Sequence, residues 1–203
     1  MRQGLAKLLG DERDLEVCGE AESATDALKA IGRLKPDLAI VDISLTGRTG
    51  IELIRDVRQH YPGVCVLVLS MHDETIYSER VLRAGGRGYI MKQEGGKVLV
   101  QAIRQVLKGQ VYLSERMSAK VFERLSNSAQ TAGSPLELLS DREMEVFQLI
   151  GDGLGTRQIA EQLHLSMKTV EVYRAHIKRK LNLKDGTALV RYAIRWAETE
   201  KTN

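Results

Sequence analysis

From Leu15 to about Gly109, short β-branched apolar runs alternate with longer amphipathic stretches, and this rhythm constrains the fold more than any other feature of the chain. A parallel strand buried on both faces reads as a brief continuous apolar run, and a crossover helix must follow before the next strand. Strand candidates are Leu15 to Cys18, Leu38 to Val41, Val64 to Leu69 and Arg87 to Met91. Ser23 is placed to cap a helix whose apolar positions Ala27, Leu28, Ile31 and Leu34 fall at helical spacing, with Asp26 in the first turn. Gly50 to His60, Thr75 to Ala84 and Lys97 to Lys108 read as the next helices, the last closed by Gly109, and Gln3 to Leu9 reads as one more at the start. The pattern predicts an α/β domain that opens on a helix. A doubly wound sheet normally opens on a strand, because that strand forms the middle of the sheet. The expectation is therefore that one strand is missing before Met1.

After Gly109 the rhythm stops. The stretch from Ser126 to Pro135 is small, polar and punctuated by Gly and Pro, which reads as a flexible connection. Only helices are expected beyond it. Ser140 with Glu143 makes a capping box ahead of Met144, Val146, Phe147 and Ile150, and Gly151 and Gly153 end that helix. Thr156 to Leu163, Lys168 to Leu181 and Thr187 to Ala197 complete a second domain. The expected division is 1–109, a linker over 110–134, and 135–203.

With 43% hydrophobic and 28% charged residues and no low-complexity tract, the chain can bury a core and is expected to be soluble and globular. Its longest apolar run, Val64 to Leu69, is far short of the roughly 18 residues that suggest a membrane span. Met1 to Gly10 lacks the pattern of a secretory signal, so a cytoplasmic protein is expected. Cys18 and Cys65 lie inside strand-like runs and read as buried reduced thiols. The net charge of +3 says little, but its distribution says more: Lys168 to Lys184 holds six Lys or Arg against one acid, Glu171. Such a cluster is either a solvated helix face or the footprint of a polyanion.

Two helices joined by a turn of about four residues, with apolar positions at Ile159, Ala160, Leu163, Leu165, Val170 and Ile177, have the layout of a helix-turn-helix. Small Ala160 permits close approach of the two helices, and Ser166 can cap the second. Leu139-Ser140-Asp141-Arg142-Glu143, Gln158 to Leu163, and Lys168-Thr169-Val170-Glu171-Val172-Tyr173-Arg174 with Ile177 and Lys180-Leu181 resemble the LuxR-type DNA-binding domain over about Pro135 to Trp196. The resemblance implies an all-α four-helix module that dimerises through its last helix and binds two DNA half-sites. It implies Glu171, Val172 and Ala175 near base edges, and Lys168, Thr169, Arg174, Lys178 and Lys180 on phosphates. Tyr173 departs from the family, which usually carries His there; its hydroxyl is expected to reach a phosphate instead.

In open α/β sheets chemistry gathers at the carboxyl ends of the strands. Asp42, Ser70 and Lys92 lie at three successive ends: a carboxylate that can accept a phosphoryl group, with a hydroxyl and an ammonium able to bind its oxygens. With Leu69 to Glu74 and Gly88-Tyr89-Ile90-Met91-Lys92, this set resembles the flavodoxin-like receiver domain of two-component response regulators of the NarL/FixJ family. The resemblance implies Asp42 as phosphoacceptor, Ser70 and Lys92 as phosphoryl contacts and Tyr89 as the switch aromatic. It also implies Mg²⁺ held by Asp42, the Ser44 carbonyl and an acidic pair ending the first strand. That pair is absent, since Asp11 and Glu12 follow the first helix instead of preceding it. Either the protein starts further upstream, or its receiver has lost metal-dependent phosphorylation. Implied partners are double-stranded DNA, a sensor histidine kinase, a second copy of the chain and RNA polymerase, with no membrane. The implied function is transcription regulation, with phosphorylation of Asp42 controlling dimerisation and DNA binding; a phosphorylation-independent regulator is the alternative. A flavodoxin-like enzyme would need a cofactor loop, and Gly85 to Gly88 and Gly95-Gly96 are too irregular for one. A protein-interaction adaptor would bind a partner but no DNA. The four histidines have no metal-site spacing and are given no role.

Overall fold

The computed structural model describes residues 2–45, 48–119 and 135–202, and the chain divides into two compact units, 1–129 and 130–203. The expected connection from Ser126 to Pro135 lies, up to Ser134, outside the described residues.

The first unit runs α1 (Arg2–Gly10), α2 (Ala24–Leu34), β1 (Leu38–Val41), α3 (Gly50–His60), β2 (Cys65–Ser70), α4 (Glu74–Ala84), β3 (Gly88–Met91), a 3₁₀ turn at Lys92–Glu94 and α5 (Gly96–Leu107). The strands are parallel in the order β1-β2-β3, with Val41 opposite Val68 and Ser70 opposite Met91. Ser23 caps α2 as expected, its side chain accepting from the Asp26 amide. Central β2 is buried on both faces. Leu67 and Leu69 pack into a cluster with Ile90 and with Leu99, Ala102, Ile103 and Val106 of α5, which Leu9 of α1 joins. Val66 and Val68 point to the opposite face and are equally buried. At roughly 1.5–3 kcal/mol for each such side chain removed from water, these layers fix the register that aligns the strand ends.

Two expectations fail together at Leu15 to Cys18. The segment is not a strand, and Cys18 is exposed, not buried. A strand needs a ladder partner, and β1 pairs only with β2 among the described residues. Between segment and sheet lies a cavity of about 850 Å³ whose lining includes Leu15, Val17, Leu38, Ile40, Leu53 and Ile103. Cys65 is partly buried, at the start of β2.

The chain leaving α5 stays on this unit. Tyr112 forms a parallel bridge with Gly88, its amide donating to the Arg87 carbonyl at 2.9 Å and its carbonyl accepting from the Tyr89 amide at 3.3 Å. Ser114 then donates to Glu74 at 2.6 Å and caps a helical turn at residues 115–119, where Met117 is buried.

The second unit is helical: a 3₁₀ turn at Pro135–Leu138, then α6 (Asp141–Gly151), α7 (Thr156–Gln162), α8 (Met167–Lys180) and α9 (Gly186–Thr202). The Ser140–Glu143 capping box is present. Phe147 of α6 is fully buried and lies 5.8 and 5.3 Å, centroid to centroid, from Tyr192 and Trp196 of α9. No helix among the described residues is long and apolar enough to cross a membrane.

Candidate phosphoacceptor and DNA-reading sites

The β1-β2-β3 register brings the three strand ends together. Asp42 follows β1, Ser70 ends β2, and Lys92 follows β3. Lys92 Nζ donates to Asp42 Oδ2 at 2.5 Å, with the two side chains 13% and 24% exposed, so the pair is held in place yet reachable. Asp42 Oδ1 accepts from the Ser44 amide at 3.3 Å. Behind the carboxylate, a β carbon on Gly50 would meet the Asp42 carbonyl at 2.1 Å, and the Gly50 amide donates to the Ile43 carbonyl at 2.8 Å. The start of α3, fixed by the Thr49–Glu52 capping box, is thus pressed against the backbone that carries Asp42.

Ser70 is fully buried and its hydroxyl accepts from the His72 amide at 3.2 Å. Tyr89 is 1% exposed, turned inward, and donates to the His72 carbonyl at 2.8 Å. Burial pushes its phenol well above the usual tyrosine range. His72 also hydrogen-bonds Ser44 through Nε2 at 2.7 Å, joining the loop after β1 to the loop after β2. Sequence reasoning gave no role to His72 or to the Ser44 side chain; the signal was its place two residues past Ser70.

In the second unit the turn between α7 and α8 closes with the Leu165 amide on the Ala160 carbonyl at 2.8 Å, and His164 takes the left-handed conformation (φ 54°). Ser166 caps α8, accepting from the Thr169 amide at 3.0 Å. Val170 and Ile177 bury one side of α8, leaving Lys168, Glu171, Val172, Ala175 and Arg179 exposed as a single stripe at helical spacing. Thr169, Tyr173, Arg174 and Lys178 are half-buried along its flanks. Desolvation lowers the Arg174 pKa against the pull of Glu171.

Lys180 is not on the stripe. Its Nζ donates to Glu143 Oε2 at 2.6 Å, and His176 Nδ1 is 3.6 Å from the other oxygen. Burial would raise the Glu143 carboxyl, but hydrogen bonds from Lys180 and Ser140 outweigh it and hold the group below the usual glutamate range. Lys180 therefore fastens α8 to α6. Arg179, counted in the basic run but given no DNA contact from the sequence, takes the exposed position beside it.

Residues 1–104 match the response regulator receiver domain family, and residues 137–193 match the luxR family of bacterial regulatory proteins. The oxygen regulatory protein NreC of Staphylococcus carnosus is 36% identical over 200 residues, covering 96% of this chain and 92% of that protein. NreC of Staphylococcus epidermidis RP62A is 33% identical over 201 residues with the same coverage. Among solved structures, the response regulator RcsB of Salmonella typhimurium superposes with a TM-score of 0.63 at 27% identity, over 96% of this chain and 91% of that one. RcsB of Salmonella enterica serovar Typhimurium, bound to promoter rprA with the phosphomimetic BeF₃⁻, gives 0.59 at 25% identity, over 94% and 91%. The strand-end cluster and the helix-turn-helix thus fall within two matched families whose order along the chain is that of these regulators, and the protein belongs to the two-component response regulators that carry a LuxR-type DNA-binding domain.

Proposed function

We propose that Asp42 accepts a phosphoryl group from a sensor histidine kinase, and that this step controls dimerisation and DNA binding by the second unit. The observation that carries the reading is Lys92 Nζ at 2.5 Å from Asp42 Oδ2, with the buried Ser70 at the end of the strand between theirs. An acyl phosphate on Asp42 would place its oxygens against a cation already in position, and a preset charge costs no reorganisation when the group arrives. Ser70 would hold a second oxygen, and Tyr89, tied to the His72 carbonyl next to it, would register the change. A local charge of this kind acts by biasing a two-state surface.

Receiver domains generally use Mg²⁺ for phosphorylation. Mg²⁺ wants six oxygens in near-octahedral array, usually one or two carboxylates with waters and phosphate. Among the described residues no group of three or more His, Cys, Asp or Glu could hold a metal, and the one carboxylate offered, Asp42, is paired with Lys92. With the Ser44 carbonyl that makes two donors. The described residues do not fit the ion, and no step is routed through it. This shortage favours a second reading, a regulator whose receiver works without phosphorylation.

On the DNA side, α8 enters the major groove, with Lys168, Thr169, Tyr173, Arg174 and Lys178 on phosphates and two copies reading two half-sites. The protein acts in the cytoplasm as a homodimer on double-stranded DNA. Intact mass after incubation with Mg²⁺ and a small phosphodonor, beside Asp42→Asn, separates the two readings. A phosphoryl-sized gain in the wild type alone supports the first. No gain in either, with salt-sensitive DNA binding intact, supports the second.

A further inference from the structure

We infer that Glu171 and Val172 select the operator sequence, Glu171 by accepting a hydrogen bond from a cytosine amino group and Val172 by packing on a neighbouring thymine methyl. The inference rests on α8 being the helix in the groove.

The exposed stripe of α8 is basic at its ends, Lys168 and Arg179, and not in its middle, where Glu171, Val172 and Ala175 stand. Cations at the ends match the two phosphate walls of a major groove. A carboxylate between them is repelled by both walls, so an acid there needs a donor in front of it. Among the described residues Glu171 forms no salt bridge; it is exposed and acts on Arg174 through the field between them.

The base edges offer two exocyclic amino donors in the major groove, cytosine N4 and adenine N6. Adenine sets its N7 acceptor beside the amino group, where it repels a carboxylate oxygen; the cytosine amino group has no acceptor beside it on its own ring. Guanine N7 and O6 and thymine O4 are acceptors and oppose Glu171 outright. Cytosine is the base that a lone carboxylate prefers.

Val172 is 46% exposed on that stripe. It has no hydrogen-bonding group, and the one apolar projection on the groove floor is the thymine C5 methyl. Ala175, one turn further on, leaves room for that approach instead of competing for it. The stripe therefore reads a cytosine adjacent to a thymine in each half-site.

The test is selection of bound duplexes from a random-sequence pool by the full chain, for wild type, Glu171→Gln, Val172→Ala and Lys168→Ala. The wild type should enrich a C·G pair beside a T·A pair. Glu171→Gln should reduce preference for that C·G pair about tenfold, because a carboxamide also satisfies adenine. Deoxyuridine in place of the thymine should weaken wild-type binding severalfold and Val172→Ala much less. An unchanged motif with Glu171→Gln, or indifference of the wild type to deoxyuridine, overturns the base assignment while α8 keeps its place. Lys168→Ala tests that place: affinity should fall for all sequences and the salt slope should shrink by about one ion. If Lys168→Ala changes neither, α8 does not lie on DNA and both conclusions fall.

Discussion

Gly88→Ala is the substitution that most directly tests how the strand carrying Tyr89 is held. Gly88 lies outside the left-handed region, so its backbone conformation does not require glycine. Space does. A β carbon there would stand 2.8 Å from Leu67 Cδ1, 2.9 Å from the Tyr112 carbonyl oxygen and 3.0 Å from Tyr112 Cβ. Ordinary contact begins near 3.4 Å, so the outgoing chain must retreat by about half an ångström, on the side where Tyr112 exchanges its two backbone hydrogen bonds. Overpacking of this size costs about 1–3 kcal/mol, and weakening the two bonds falls within that range. The expected loss is about 2 kcal/mol, which for a unit of this length lowers the Tm by roughly 8 °C. Amide exchange should show faster opening at Tyr112 and Tyr89, while amides inside α3 keep their protection. Gly63→Ala is the control, since a β carbon there meets nothing within 4 Å. If Gly88→Ala melts with the control and the Tyr112 amide stays protected, the chain after α5 is not part of this sheet and the reasoning fails.

Gly50→Ala should be harsher, because the clash at 2.1 Å is with the Asp42 carbonyl itself; acceptance of a phosphoryl group, read by intact mass, should fall more steeply than helicity, read by circular dichroism. Ser114→Ala leaves the carboxyl of Glu74, a residue only 6% exposed, without the hydrogen bond from Ser114 and should cost about 1–2 kcal/mol at pH 7. Burial raises the Glu74 pKa, so the stability tied to its proton is fully present below the ordinary value of 4.5 and is lost as pH rises through the raised one; urea melts should show the penalty of Ser114→Ala shrinking as pH falls through the raised pKa and staying small below pH 4.5. Lys180→Met should cost about 1–3 kcal/mol in the second unit, below the value for a wholly buried pair because a third of the lysine side chain meets solvent. Glu143 has the opposite sign: its pKa is lowered, so its contribution holds above the ordinary glutamate value and fades as pH falls through the lowered one, which melts of wild type and Lys180→Met between pH 7 and 3 would reveal.

The elements that depend only on local pattern and burial were legible. Leu38–Val41 is a strand with the expected bounds, Ser23 and Ser140 cap the helices they were expected to cap, and Ser166 caps α8. Leu15 to Cys18, apolar apart from Glu16, is not a strand, because a strand is a property of two segments and composition describes one. The strand ends could be aligned from sequence, since parallel crossover units always return their carboxyl ends to the same side of the sheet. Side-chain partners could not. Lys180 reads as one more cation in a basic run, and only the packing of α8 on α6 turns it onto Glu143, 37 residues away, while Arg179 is left facing out. His72 and Ser44, 28 residues apart, meet through a loop geometry that no spacing rule encodes.

The Tyr112 bridge has a mechanical consequence. The chain that leaves the receiver domain is stitched to it at three successive points: the paired backbone of Tyr112, the Ser114 hydroxyl on Glu74, and the buried side chain of Met117. A pull on the tether is borne first by Met117 and Ser114, and only after both yield is Tyr112 peeled from the strand that holds Tyr89 in place. Tension on the chain beyond Met117 and the position of Tyr89 are thereby separated by two contacts, so a moderate load leaves Tyr89 undisturbed and only a load large enough to strip both reaches it.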